Sequence, residues 1–89
     1  MLKPVYLKRF EKEVKRAKKR GKDMKKLKTV IMLLLNKKAL PLKNCNHKLK
    51  GEFKNYWECH VEPDWLLVYK TTSTEIIFIR TGTHADLFE

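Results

Sequence analysis

Two hydrophobic rhythms divide the chain near residue 40. Before it, Leu7, Phe10, Val14 and Ala17 recur at three- and four-residue steps, the spacing of one helix face. The positions between them are charged, with Arg9 and Glu13, and Glu11 and Lys15, one turn apart on the predicted surface. Gly21 is a natural stop for this helix, and Asp23 a natural N-cap for the next. The second helix turns Met24, Leu27, Val30, Ile31, Leu34 and Leu35 inward and ends near Asn36. Ahead of both helices, residues 2–6 read as a short strand, with Pro4 tolerated at a sheet edge.

After Leu40-Pro41-Leu42 the helical period is lost. Residues 43–51 are polar and predict an irregular loop marked by Asn44, Asn46 and Gly51, and carrying His47, Lys48 and Lys50. From Phe53 the period becomes two. Phe53, Trp57, Cys59 and Val61 share one side; Lys54, Glu58, His60 and Glu62 share the other. Glu62-Pro63-Asp64 makes a turn, residues 65–70 form a nearly unbroken apolar strand, and residues 71–74 turn the chain again. Residues 76–81 form the last strand, Gly82 ends it, and residues 84–89 are read as a tail. The predicted order is β-α-α-β-β-β in one domain, residues 1–89. This is an α+β fold with a two-helix hairpin on one face of a small, mainly antiparallel sheet, the other face being exposed.

Charge sharpens this division. Residues 1–38 hold 15 of the 21 Lys and Arg and are net +12, whereas residues 39–89 are net −1. The positive field therefore belongs to the helical hairpin and favours a polyanionic partner. The longest apolar run, residues 30–35, is too short to span a bilayer, so no membrane partner and a cytoplasmic location are expected. Cys45 and Cys59 show no CxxC spacing and no disulfide framework.

The candidates for chemistry all lie in the second half. His47, His60 and His84 accompany Asp64 and Arg80, and imidazole both takes and gives a proton near neutral pH. Antiparallel order places the end of strand 76–81 beside the start of strand 65–70, so His84 should reach Asp64 and Trp65. Arg80 either meets a phosphate or forms a salt bridge with Glu62 or Asp64. Trp65 either stacks on bases or packs in the core, and Phe88, on a polar tail, is a stacking candidate. Zinc is disfavoured because neighbouring Cys59 and His60 face opposite sides of a strand, so no metal and no cofactor are expected. Proton-transfer chemistry on RNA, with its internal 2′-OH nucleophile, is the reading these residues favour.

The run His60-Val61-Glu62-Pro63-Asp64-Trp65-Leu66-Leu67-Val68-Tyr69-Lys70, then Arg80-Thr81-Gly82-Thr83-His84 and Leu87-Phe88, resembles the YafQ branch of the RelE/ParE toxin superfamily. His47-Lys48-Leu49-Lys50-Gly51 resembles that branch's His-x-Leu-x-Gly element, and Lys22-Asp23-Met24 with Lys26-Leu27-Lys28 extends the likeness into the hairpin. The resemblance implies a RelE-like fold and a ribosome-dependent endoribonuclease that cuts mRNA in the decoding site. It implies a catalytic set of His47, His60, Asp64 and His84. Arg80 would support the phosphate, Trp65 and Phe88 would shape or stack in the site, and Lys48 and Lys50 become candidate substrate contacts. The implied partners are the ribosome, mRNA and an acidic, DinJ-like antitoxin; a heterotetrameric, operator-binding toxin–antitoxin complex is within the pattern. Trp57 departs from it, standing where relatives usually carry arginine. In the implied mechanism His84 is the general acid, Asp64 holds an imidazole or acts as base, and His47 or His60 shares the base role. The competing readings are a non-enzymatic basic nucleic-acid-binding module and the gyrase-poisoning branch, which lacks this histidine set.

Overall fold

The computed structural model describes residues 1–50 and 55–88. The expectations for Gly51, Phe53, Lys54 and the last residue of the tail lie outside the described residues. Elements follow the order β1 (Lys3–Tyr6), α1 (Lys8–Lys19), α2 (Met24–Leu35), β2 (His47–Lys48), β3 (Tyr56–Glu62), β4 (Trp65–Thr71), β5 (Glu75–Gly82) and α3 (His84–Phe88). The strands form one sheet in the order β1-β5-β4-β3-β2, antiparallel except for β1 beside β5. The α+β class and the helical hairpin agree with the hydrophobic pattern.

The hairpin turns where the sequence predicts. Gly21 takes a left-handed φ of 84°. It allows the Gly21 and Lys22 amides to donate back to Lys18 O and Ala17 O, each at 3.1 Å. The Asp23 carboxylate then caps α2 by accepting from Lys25 N at 2.9 Å. Phe10 and Ala17 of α1, and Leu27, Val30, Ile31, Leu34 and Leu35 of α2, are buried against Cys59, Leu67, Tyr69, Ile76 and Phe78 of the sheet. Phe78 is the hub: its ring lies 5.3 Å from Tyr6 and 5.6 Å from Phe10.

Two segments expected to be irregular are ordered elements. Residues 43–50 are not simply a loop: a 3₁₀ turn (Leu42–Asn44) leads into β2, which pairs with β3 as His47 opposite Glu58 and Lys48 opposite Trp57. Two asparagines hold it there, through Asn44 Nδ2 donating to His60 O at 2.6 Å and the Tyr69 hydroxyl donating to Asn46 Oδ1 at 2.7 Å. The tail is the helix α3, five residues with too little periodicity to be read locally.

Two burial expectations also change. Glu13, expected on the surface beside Arg9, is buried at 6% exposure. The sheet face opposite the hairpin is not open across its middle: Leu66 and Val68 are buried there, as is Glu58. This explains why β4 is apolar at successive positions, since a central strand covered on both faces has no polar side. No helix of the described residues is long and apolar enough to cross a membrane.

Phe78→Ala should destabilise the fold by about 3–5 kcal/mol, seen as a lower urea midpoint, because a fully buried ring leaves a cavity. Leu42→Ala, at a side chain 96% exposed, should leave that midpoint within about 0.5 kcal/mol of the parent.

Candidate active site

The β4–β5 ladder assembles the site. Leu66 pairs with Gly82, so the turn preceding β4 and the segment following β5 come off the same end of the sheet. Asp64 belongs to the first and His84 to the second. The His84 backbone N–H donates to Asp64 Oδ1 at 2.9 Å, and His84 Nδ1–H donates to the same oxygen at 2.5 Å. These two donors, the backbone N–H first, hold the Asp64 carboxyl below its ordinary range. The imidazole is thereby oriented with its Nε2 edge left for another group.

His60 approaches from β3. Its ring centre lies 5.7 Å from that of His84, at an interplanar angle of 65°. His60 Nδ1 faces Pro63 O at 3.2 Å, and a carbonyl can only accept, so Nδ1 carries a hydrogen and, in the neutral ring, Nε2 is the nitrogen with the lone pair. One imidazole is thus set to accept a proton, beside another backed by a carboxylate.

His47 stands one strand away, with Glu58 between. Cys45, in a left-handed conformation at φ 45°, turns its carbonyl onto His47 Nδ1 at 2.7 Å. His47 Nε2 meets Glu58 Oε2 at 3.1 Å. Both ring nitrogens of His47 therefore face oxygen atoms, one on the backbone and one on a carboxylate. Glu58 is buried, and among the described residues its other oxygen has no hydrogen-bond partner. Glu58 and His60 share a strand face about 7 Å apart along β3. Glu58 thus lies between His47, which it contacts, and the pair at the sheet end. Sequence reasoning placed Glu58 on this face but assigned it no role.

The remaining candidates separate. Arg80 is paired with neither Glu62 nor Asp64 but with Glu13 of α1, through contacts of 2.7–3.1 Å. Glu62 is taken by Lys26 at 3.0 Å and Lys22 at 3.5 Å. Trp65 belongs to the core at 1% exposure, its Nε1–H donating to Thr81 Oγ1 at 3.0 Å, so its ring presents no free face for base stacking. Phe88 is half exposed on α3 and, with Leu49, Tyr56, Val68, Ile79, Arg80 and Leu87, lines a cavity of about 60 Å³ on the histidine face. Lys48 is not brought to the histidines: neighbouring strand residues face opposite ways, and its Nζ lies 5.4 Å over Trp57. Lys50 is exposed beyond β2.

One functional element was missed for lack of periodicity, although a capping signal was present in Thr83-x-x-Asp86. Thr83 N–H donates to Asp86 Oδ2 at 3.0 Å, and Asp86 N–H donates to Thr83 Oγ1 at 3.1 Å, a reciprocal cap that starts α3 and places His84. Arg20, the C-cap of α1, holds Asp86 at 2.7 Å. Gly82 is required here, since a Cβ would stand 2.9 Å from Asp86 Cβ. Burial pushes the Cys59 thiol up to about 12, so it stays protonated, and both cysteines are free. Among the described residues no group of three or more His, Cys, Asp or Glu is arranged to hold a metal ion.

With this geometry in place, likeness to known proteins is informative. Residues 2–89 match the family described as bacterial toxin of type II toxin–antitoxin system, YafQ. A relative from Escherichia coli K12, the mRNA interferase toxin YafQ, is 50% identical over 84 residues, covering 93% of this chain and 91% of the relative. The crystal structure of YafQ from E. coli BL21(DE3) superposes with a TM-score of 0.94 at 46% identity, covering all of both chains. YafQ in the E. coli DinJ–YafQ toxin–antitoxin complex gives 0.92 at 47% identity, covering 99% of this chain and 98% of that one.

The clamp on α3 has a defined acid response. The Arg20 guanidinium, then the Thr83 amide, hold the Asp86 carboxyl well below the usual carboxylate range. A depressed folded value adds stability above the unfolded value and loses it as pH falls toward the folded one. The stability difference between the parent and Asp86→Asn should be constant above about pH 5 and shrink below about pH 4. Urea midpoints measured across this range check it; a difference that widens with acid contradicts the clamp.

Proposed function

Because the chain belongs to the YafQ family of bacterial type II toxin–antitoxin toxins, we propose that it is an mRNA interferase, a metal-independent endoribonuclease that cuts translated message at the ribosomal decoding site. The observation that carries this reading is the His60–His84 pair, 5.7 Å between ring centres, with Asp64 fixing one ring and the Pro63 carbonyl the other. That pairing suits one phosphodiester.

His60 Nε2 withdraws the 2′-OH proton. The 2′-oxygen bonds to phosphorus, the bond from phosphorus to the 5′-oxygen breaks, and His84 Nε2–H protonates the departing oxygen. A 2′,3′-cyclic phosphate and a 5′-OH result. Asp64 stabilises the imidazolium form of His84 before the transfer. Arg80 offsets negative charge gathering on the phosphate oxygens, and His47, held between Cys45 O and Glu58, lines the same face. Phe88, half exposed beside the cavity, stacks against a flanking base.

The ribosome supplies what so small a domain lacks. Its site is shallow, with His84 and Asp64 largely exposed, and a flexible message is not oriented by it. A pre-aligned substrate lowers a barrier by as much as about 7–11 kcal/mol. The hairpin, net +12 over residues 1–38, engages ribosomal RNA while the histidine end meets the message. In the cytoplasm an acidic antitoxin segment, DinJ-like as in the E. coli complex, covers the positive surface and restrains the toxin.

Primer extension on a translated message, with and without ribosomes, tests the activity. His84→Gln should lower cleavage by roughly 10²–10⁴-fold at unchanged urea midpoint. Parent-level cutting by this variant removes His84 from the chemistry, and absence of any cut by the parent favours a binding module. Ribosome association should weaken steeply between 50 and about 200 mM salt, as phosphate contacts require. A flat response in pelleting assays contradicts the hairpin's role.

A further inference from the structure

We propose that Glu13 is a positioning residue for the cleavage, acting through Arg80. The inference rests on the reading of Arg80 as a phosphate contact.

Glu13 lies three residues after Phe10 and four before Ala17, on the helix face that packs inward. An apolar side chain would suit this position. A carboxylate there, 6% exposed, is tolerated only with full pairing. Its pairing is with one guanidinium and one amide. Arg80 Nε donates to both carboxylate oxygens at 3.1 and 3.0 Å, and Nη2 donates to Oε2 at 2.7 Å. The Thr81 backbone N–H adds a contact at 3.2 Å. Asp86 O accepts from Nη2 at 3.3 Å.

Stability alone does not account for such a pair, because well-packed apolar residues commonly replace buried ion pairs without loss. What Glu13 achieves is directional. A guanidinium has five N–H donors in one plane. Glu13 and Asp86 engage Nε and Nη2, and among the described residues Nη1 has no hydrogen-bond partner. The plane of Arg80 is therefore set by α1, and the Nη1 edge is the one left for a phosphate oxygen.

The strand prepares this approach. Val68 pairs with Arg80 and Tyr69 with Phe78, so Ile79 is an extra residue in β5. The bulge puts Arg80 in register with Val68, Glu58 and His47 across four strands. β1 pairs with β5 only as far as Phe78, and Glu13 reaches Arg80 past that point. Arg80 is thus joined to the histidine face by its register and to α1 by its charge.

A double-mutant cycle on ribosome-programmed cleavage tests the proposal. Arg80→Ala, Glu13→Gln and the double variant are compared for kcat, KM and thermal midpoint. Glu13→Gln should lower kcat roughly 10- to 100-fold with little change in KM, the behaviour of an interaction made in the transition state. In the Arg80→Ala background it should have no further effect on kcat, whatever it does to the midpoint. Losses that multiply, or parent-level kcat in Glu13→Gln, overturn the positioning role while leaving Arg80 in place. Parent-level kcat in Arg80→Ala overturns the Arg80 assignment and this inference together, with the histidine chemistry untouched. Should Glu13→Gln fail to fold, Glu13→Asp replaces it: the shorter carboxylate should show a smaller kcat loss that likewise vanishes without Arg80.

Discussion

Antiparallel pairing of β4 with β5 is the constraint on which the site depends. With Leu66 opposite Gly82, the residues entering one strand and leaving the other share an end of the sheet. Asp64 and His84, 20 positions apart, then meet through a backbone and a side-chain hydrogen bond to one oxygen. A register slip of one residue would turn every side chain of a strand to the opposite face. The hydrogen bonds of Trp65 to Thr81 and of Tyr69 to Asn46, which such a slip would break, oppose it. Core packing and the meeting of Asp64 with His84 are consequently enforced by the same ladder.

Around this ladder the charged residues divide by depth. On the outer face of the hairpin, lysines and arginines give a field that acts at long range and is screened by salt. Other acids pair with particular cations: buried Glu13 with Arg80, and nearer the surface Asp86 with Arg20 and Glu62 with Lys22 and Lys26. These pairs connect the hairpin with the β3–β4 turn, with β5 and with α3. The surface suited to a polyanion and the histidine end are thus coupled by short contacts within a thin, two-layer domain.

The histidines show how little is needed to divide labour among identical side chains. His60 faces a carbonyl, His84 a carboxylate, and His47 one of each. The partners orient each ring and set which of its nitrogens is engaged. Two of those partners, Cys45 O and Pro63 O, are backbone atoms, so their identity in the chain says nothing about the role they perform.

The residue pattern by itself determined the two helices and their joining turn, the alternating strands, the segregation of charge, and the meeting of His84 with Asp64. Each follows from periodic burial or from the neighbour relations of a meander, which a few adjacent residues encode. Tertiary structure decided the rest. Arg80 had nearby carboxylates in Glu62 and Asp64, yet its partner is Glu13, 67 positions away, because β1 stops short of Arg80 and α1 reaches it there. Trp65 became core once Thr81 met its indole N–H, and polar residues 47–48 became a strand only because β3 offered a free edge and Asn44 and Asn46 held the segment to it. Periodicity reports which side of an element avoids water; the choice of a partner among chemically equivalent groups depends on three-dimensional proximity, which no local pattern carries.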